Sequence, residues 1–221
     1  MTTTIAHRLD QVRQRIEQAA RRGGRRAQDV LLIAVSKTQP ESAIRAAYDA
    51  GQRDFGENYV QELVQKAHAL RDLPDLRWHL IGHLQRNKVK TVLDVVQVVH
   101  TVDRLALVTE LGKRLSAPLD VLVEINVGQE SSKTGASPDQ TPLLVEAVRA
   151  QAGLRLQGLM TVPPFDLDLP TVGEYFDRLR GLAQAFGLKE LSMGMSHDFE
   201  EAIVRGATMI RVGTAIFGDR G

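Results

Sequence analysis

Lys37 stands at the end of the run Val30-Leu31-Leu32-Ile33-Ala34-Val35-Ser36 and is followed by Thr38-Gln39-Pro40. An unbroken apolar run rich in Val and Ile, closed by polar residues and a proline, reads as a strand buried on both faces. The lysine therefore sits where that strand leaves the core. A lysine in such a place can lose hydration, and a neutral amine attacks carbonyls to form Schiff bases. The competing reading is a lysine that reaches solvent at a strand end. Near the other end of the chain, Met193-Gly194-Met195-Ser196-His197-Asp198 and Ile210-Arg211-Val212-Gly213-Thr214-Ala215 combine small residues with hydroxyls. Ser196 ahead of a helix and the Gly213-Thr214 amides suit an anion such as a phosphate. Helix capping by Ser196 or Asp198, and an ordinary strand-end turn at Gly213, are the structural alternatives. Arg211 alternates with Ile210 and Val212, which points it away from the apolar face and into an interior, where a charge needs a partner or a ligand. Glu124 and Asn126 are its candidate internal partners.

These groups need a scaffold that brings them together. Ile5, Leu9, Val12, Ile16 and Ala19 or Ala20 mark one stripe of a helix over residues 4–20, capped by Thr3 or Thr4. Four arginines around Gly23-Gly24 close it and read as a solvated loop with helix-end cations. Strands are then expected at 30–37, 53–57, 77–82, 96–102, 119–127, 154–162, 190–195 and 208–214. Helices are expected between them at 41–50, 58–70, 86–93, 103–115, 139–151, 171–186 and 198–205, with Asp103 and Asp139 as caps. Strands that alternate with helices call for a parallel sheet, and eight of them favour closure into a (β/α)8 TIM-type barrel over an open doubly wound sheet. The whole chain, residues 1–221, is expected to be one domain, with 1–26 as a lead-in helix and loop. Closure makes the first and eighth strands neighbours, so Lys37 and Arg211 would border one cavity with the two late loops at its rim. An aldehyde-reactive amine, a phosphate cradle and a guanidinium match the parts of pyridoxal 5'-phosphate (PLP).

Composition excludes several other classes. The net charge of +1 provides no field for nucleic acid. The absence of cysteine removes disulfides, thiolate metal sites and cysteine nucleophiles. No secretory pattern opens the sequence, and no apolar run approaches the ~20 residues that span a bilayer. A cytoplasmic protein with no membrane partner is the expectation.

The segments AVSKTQP (34–40), FGENYVQE (55–62), WHLIGHLQRNK (78–88), HTVD (100–103), GLMTVPP (158–164), LSMGMSHDFEEAI (191–203) and RVGTAIFG (211–218) together resemble the pyridoxal-phosphate homeostasis protein family, also called the YggS or PROSC family. The resemblance implies a barrel like the N-terminal domain of alanine racemase. It also implies PLP held as an aldimine on Lys37, with Ser196, Gly213 and Thr214 on the phosphate, Arg211 facing the pyridine nitrogen and Asn58 touching the ring. Gln39 and His197 depart from the family pattern without touching those positions.

The family is regarded as carrying and distributing the cofactor without turnover. The expected partners are PLP and PLP-dependent apoenzymes, with the chain a monomer or weak homodimer. An arginine at the pyridine nitrogen makes the ring a poor electron sink, which fits a carrier. A racemase-like amino-acid enzyme is the alternative, and it needs bases on both faces of a substrate. His79, His83 and Tyr59 are the acid–base candidates, although packing or surface roles account for each. The sequence ends soon after the eighth strand, which leaves no length for the second domain of a racemase. A phosphosugar lyase using Lys37 is the third reading. Lys133, after the fifth strand, is a candidate for cofactor handover or a plain loop lysine.

Overall fold

The computed structural model describes residues 4–130 and 133–218. Eight parallel strands close into a barrel in chain order, and β1 pairs with β8. They are β1 (Leu31–Val35), β2 (Asp54–Glu57), β3 (Arg77–Leu80), β4 (Val98–Val102), β5 (Leu119–Glu124), β6 (Leu154–Met160), β7 (Glu190–Ser192) and β8 (Met209–Val212). The open-sheet alternative is thereby excluded, and all eight expected strands are present.

The helices are α1 (Ile5–Arg22), α2 (Glu41–Asp49), α3 (Val60–Ala69), α4 (Val89–Leu93), α5 (Leu105–Arg114), α6 (Thr141–Ala150), α7 (Leu169–Ala185), α8 (Phe199–Val204) and α9 (Thr214–Phe217). The lead-in helix α1 buries Leu9, Val12, Ile16, Ala19 and Ala20 and packs against α2, α8 and α9. Thr4 caps it by accepting the His7 N–H at 3.2 Å, while Thr3 lies outside the described residues. Arg8 donates to the Ile216 carbonyl at 2.7 Å, which ties the lead-in helix to α9. The arginine-rich loop behaves as a solvated turn. Arg25 donates to the Ala207 carbonyl at 2.6 Å and Arg26 pairs with Asp29 at 2.7 Å.

Most sequence-based boundaries shift by a few residues. β1 stops at Val35, before the turn at Lys37–Thr38, and β5 at Glu124, after which Ile125 forms an isolated bridge with Ala136. Two expected caps do not form. Asp103 pairs with Arg104 and lies 3.6 Å from His83, so α5 starts without a side-chain cap. Before α6, Asp139 lies inside a short 3-10 turn, and the Gln140 side chain accepts the Ser137 N–H at 3.1 Å instead. Helix α9 is an addition: its four residues are too few to carry a periodic signal.

Two environments result from strand alternation. Ile210 and Val212 face the helices within the main apolar core, as do Phe55 and Trp78, whose rings lie 6.1 Å apart. Inside the barrel, Val98, Leu122 and Met160 form a small apolar plug. The interior also holds polar groups, with Asp54, His79, His100, Ser192 and Arg211 all buried. Polar groups there must find partners, because an unpaired buried group costs ~1–3 kcal/mol.

Candidate functional site

Lys37, Asn58, Ser196, Arg211, Gly213 and Thr214 all line one cavity of about 370 Å³ at the carboxyl ends of the strands. That is the end where barrels of this kind build their sites, and the volume suits a small ligand. Val35, Ile81, Val162 and Met195 supply apolar walls. Phe165 stands exposed at the rim with its ring 4.8 Å from that of His197.

Lys37 belongs to the turn after β1, two residues past the strand. Its neighbours are clamped. Ser36 donates its hydroxyl to Glu57 Oε1 at 2.7 Å, and its carbonyl accepts Lys66 Nζ at 2.6 Å. On the other side, the Thr38 N–H donates to Glu62 Oε1 at 2.6 Å, and Thr38 has a φ of 63°. A β-branched residue in the left-handed region is strained by ~1–3 kcal/mol and persists only where its surroundings over-determine it. Lys66 joins the two carboxylates, at 2.8 Å from Glu57 and 2.6 Å from Glu62. Burial pushes the Glu57 carboxyl pKa up, against the lowering pull of Lys66 and Ser36. Only the Glu62–Lys66 pair, four apart on α3, has a helical spacing legible in the sequence.

At the far side of the cavity the loops after β7 and β8 are stitched together, for Gly213 N–H donates to Ser196 Oγ at 3.2 Å. Ser196 is therefore a bridge between the two loops. Ser196 precedes a helix as expected, with α8 beginning at Phe199; Asp198, the rival cap, makes no side-chain cap, and its carboxylate accepts the Met195 N–H. Gly213 and Thr214 stand at the start of α9.

Arg211 is 4% exposed, and its partners differ from those expected. Nη1 donates to Ser192 Oγ at 2.6 Å and Nη2 to the Thr161 carbonyl at 2.9 Å. Glu124 contributes charge alone, and its Oε1 accepts from Thr134 at 2.6 Å; Asn126 donates to the Glu130 carbonyl. Burial pushes the guanidinium pKa down to about 10, with Asp198 and Glu124 acting against it, so it stays charged at neutral pH.

Asn58 is the most direct sign that the cavity takes a ligand. Its Oδ1 is buried and has no hydrogen-bond partner. Gly82 holds this residue in place by its lack of a side chain. A Cβ there would meet the Asn58 carbonyl oxygen at 2.1 Å. Gly82→Ala is expected to cost ~1–3 kcal/mol in urea unfolding, because the obstruction is backbone and not a side chain that can rotate away.

His79, His83 and Tyr59 do not line the cavity. His79 is fully buried inside the barrel, while His83 and Tyr59 are exposed. Lys133 donates to the Pro163 carbonyl at 3.4 Å, beside the cavity rim.

With this geometry in hand, a family model described as "Alanine racemase, N-terminal domain" matches residues 7–221. The pyridoxal phosphate homeostasis protein of Pseudomonas aeruginosa is 46% identical, over 99% of this chain and 96% of that one. The chain belongs to the pyridoxal phosphate homeostasis protein family. These relatives are named as homeostasis proteins and not as enzymes. PipY of Synechococcus elongatus PCC7942, solved with PLP bound, is 36% identical, with a TM-score of 0.86 over 97% of this chain and 100% of PipY. Alanine racemase from Corynebacterium glutamicum shares the family's fold at 17% identity, with a TM-score of 0.72 over 96% of this chain and 62% of the racemase. No helix among the described residues is long and apolar enough to cross a membrane.

Proposed function

We propose that this chain binds PLP in the Lys37 cavity and serves its homeostasis by holding and releasing it, without turnover. The carrying observation is the convergence, in one cavity, of an amine, a guanidinium, a bridged hydroxyl–amide pair and the unpartnered Asn58 Oδ1. The donor set fits the cofactor part by part. Ser196, Gly213 and Thr214 offer hydroxyls and amides to a phosphate. Asn58 offers a polar contact to the ring. Arg211 offers N–H donors to the pyridine nitrogen. The relatives' names and the PLP in PipY support the same reading.

When bound, PLP supplies an aldehyde that condenses with a primary amine and releases one water. Lys37 is the amine in this reading, and the linkage is an aldimine. Arg211 can donate but cannot accept, so a ring nitrogen held against it would keep its lone pair and stay unprotonated. An unprotonated ring withdraws electrons weakly, which suits storage better than bond cleavage next to the imine. PLP-dependent apoenzymes would be the recipients, and the cell interior the place of exchange.

The test is absorbance of the purified protein with PLP, followed by borohydride reduction and peptide mapping. The expected result is visible colour that reduction bleaches, with the label on Lys37. A label on Lys133 or another lysine would overturn the site, and a protein that takes up no PLP would overturn the function.

A further inference from the structure

Beneath the cavity, side chains from five strands meet in series. Arg211 Nη1 on β8 donates to Ser192 Oγ on β7 at 2.6 Å. Ser192 Oγ lies 2.9 Å from His100 Nδ1 on β4. His100 Nε2 lies 3.0 Å from His79 Nδ1 on β3, and His79 Nε2 lies 2.9 Å from Asp54 Oδ1 on β2. The two histidines and the serine are fully buried, with Arg211 and Asp54 nearly so. At the lower end, Arg77 Nε lies 3.6 Å from the same Asp54 oxygen, and His79 borders a second cavity at the amino ends of the strands.

With both rings neutral, the two ends dictate every proton between them. A guanidinium only donates, and a carboxylate only accepts. Asp54 therefore takes the N–H of His79 Nε2, which leaves His79 Nδ1 as a lone pair. That lone pair takes the N–H of His100 Nε2, and His100 Nδ1 then accepts the Ser192 hydroxyl hydrogen. The Ser192 oxygen is left free to accept from Arg211. The reverse order would need a protonated Asp54 or a doubly protonated His79, and would leave the Ser192 hydrogen without a place in the chain. Burial supports a neutral His100: it drives that ring's pKa well below the usual imidazole range, and positive charge nearby, as on Arg211, pushes the same way.

We propose that Asp54, His79, His100 and Ser192 are positioning residues, a one-way hydrogen-bond chain that anchors Arg211 and keeps its remaining donor capacity on the cavity side. Among the described residues, the Thr161 carbonyl is the guanidinium's other hydrogen-bond acceptor. The step from Arg211 to a ring nitrogen rests on the PLP reading above; the chain itself does not.

The experiment uses the full chain with 15N-labelled histidine. In the ligand-free protein at pH 7, long-range proton–nitrogen correlation reads the tautomers of His79 and His100. Both are expected as neutral rings protonated at Nε2. An Nδ1–H tautomer or a doubly protonated ring at either position overturns the chain. The PLP-loaded protein is then titrated by visible absorbance. Ser192→Ala is expected to move the midpoint by about one pH unit as Arg211 loosens, and Ser192→Thr, which keeps the hydroxyl, to return it. A loss of packing alone would leave the midpoint where it is. A Ser192→Ala midpoint that superimposes on wild type at full occupancy overturns the proposal. If wild type takes up no PLP, the reading of the cavity fails, and the tautomers alone decide the chain.

Discussion

Lys37→Ala is expected to remove the visible absorbance of the PLP-treated protein and to leave borohydride nothing to reduce at the site. The reason is chemical: the other cavity-lining residues offer apolar walls, hydrogen bonds and charge, but Lys37 carries the primary amine. The comparison variant is Ser196→Ala. It removes the hydroxyl that bridges to Gly213 and faces the proposed phosphate, but leaves the amine in place. A hydrogen bond to a charged group contributes ~1.5–3 kcal/mol, so the Kd for PLP should rise about 10- to 100-fold while the colour at saturation persists. Equilibrium dialysis and absorbance measured on both variants separate the two roles. If Lys37→Ala stays coloured and reducible, the amine has been misassigned.

The second large effect is on stability. Lys66 is 5% exposed, Glu57 is fully buried, and the two are 2.8 Å apart. Lys66→Met leaves Glu57 as an uncompensated buried charge, which costs ~3–5 kcal/mol. Urea unfolding at pH 7.5 should show that loss, and adding Glu57→Gln should recover most of it. The pH dependence has a definite sign. The folded-state pKa of Glu57 is already raised by burial and rises further without Lys66. A carboxyl with a raised folded pKa binds its proton more tightly in the native state, so stability falls as pH climbs through that value. The Lys66→Met deficit should therefore shrink on acidification from pH 7.5 toward pH 5.5. A deficit independent of pH would mean that lost packing, and not the stranded charge, is responsible. Because Lys66, Glu57 and Glu62 hold Ser36 and Thr38 on either side of Lys37, the same variant should also bind PLP less tightly.

Several things were legible in the residues themselves. The apolar run before Lys37, the eight alternations of strand and helix, and the clustering of small and hydroxyl residues after the last two strands are local patterns. Local patterns survive in one dimension because period and turn chemistry act over a few residues. Closure of the barrel then followed from counting, and it brought all six proposed ligand residues to one cavity.

The tertiary structure alone decided which groups answer one another across the barrel. Arg211 turned to Ser192 and Thr161, not to Glu124 or Asn126, because the inclination of the strands sets which inward positions meet at one level. His79 and His100 are separated by 21 positions, and Ser192 lies 92 beyond His100, yet they hydrogen-bond in series. No spacing rule reaches that far. Sequence determined which chemistries this protein can deploy and on which strand each one sits. Folding determined their partners, and with them the direction of each proton in the interior, because a side chain in a closed barrel finds its neighbours around the circumference and not along the chain.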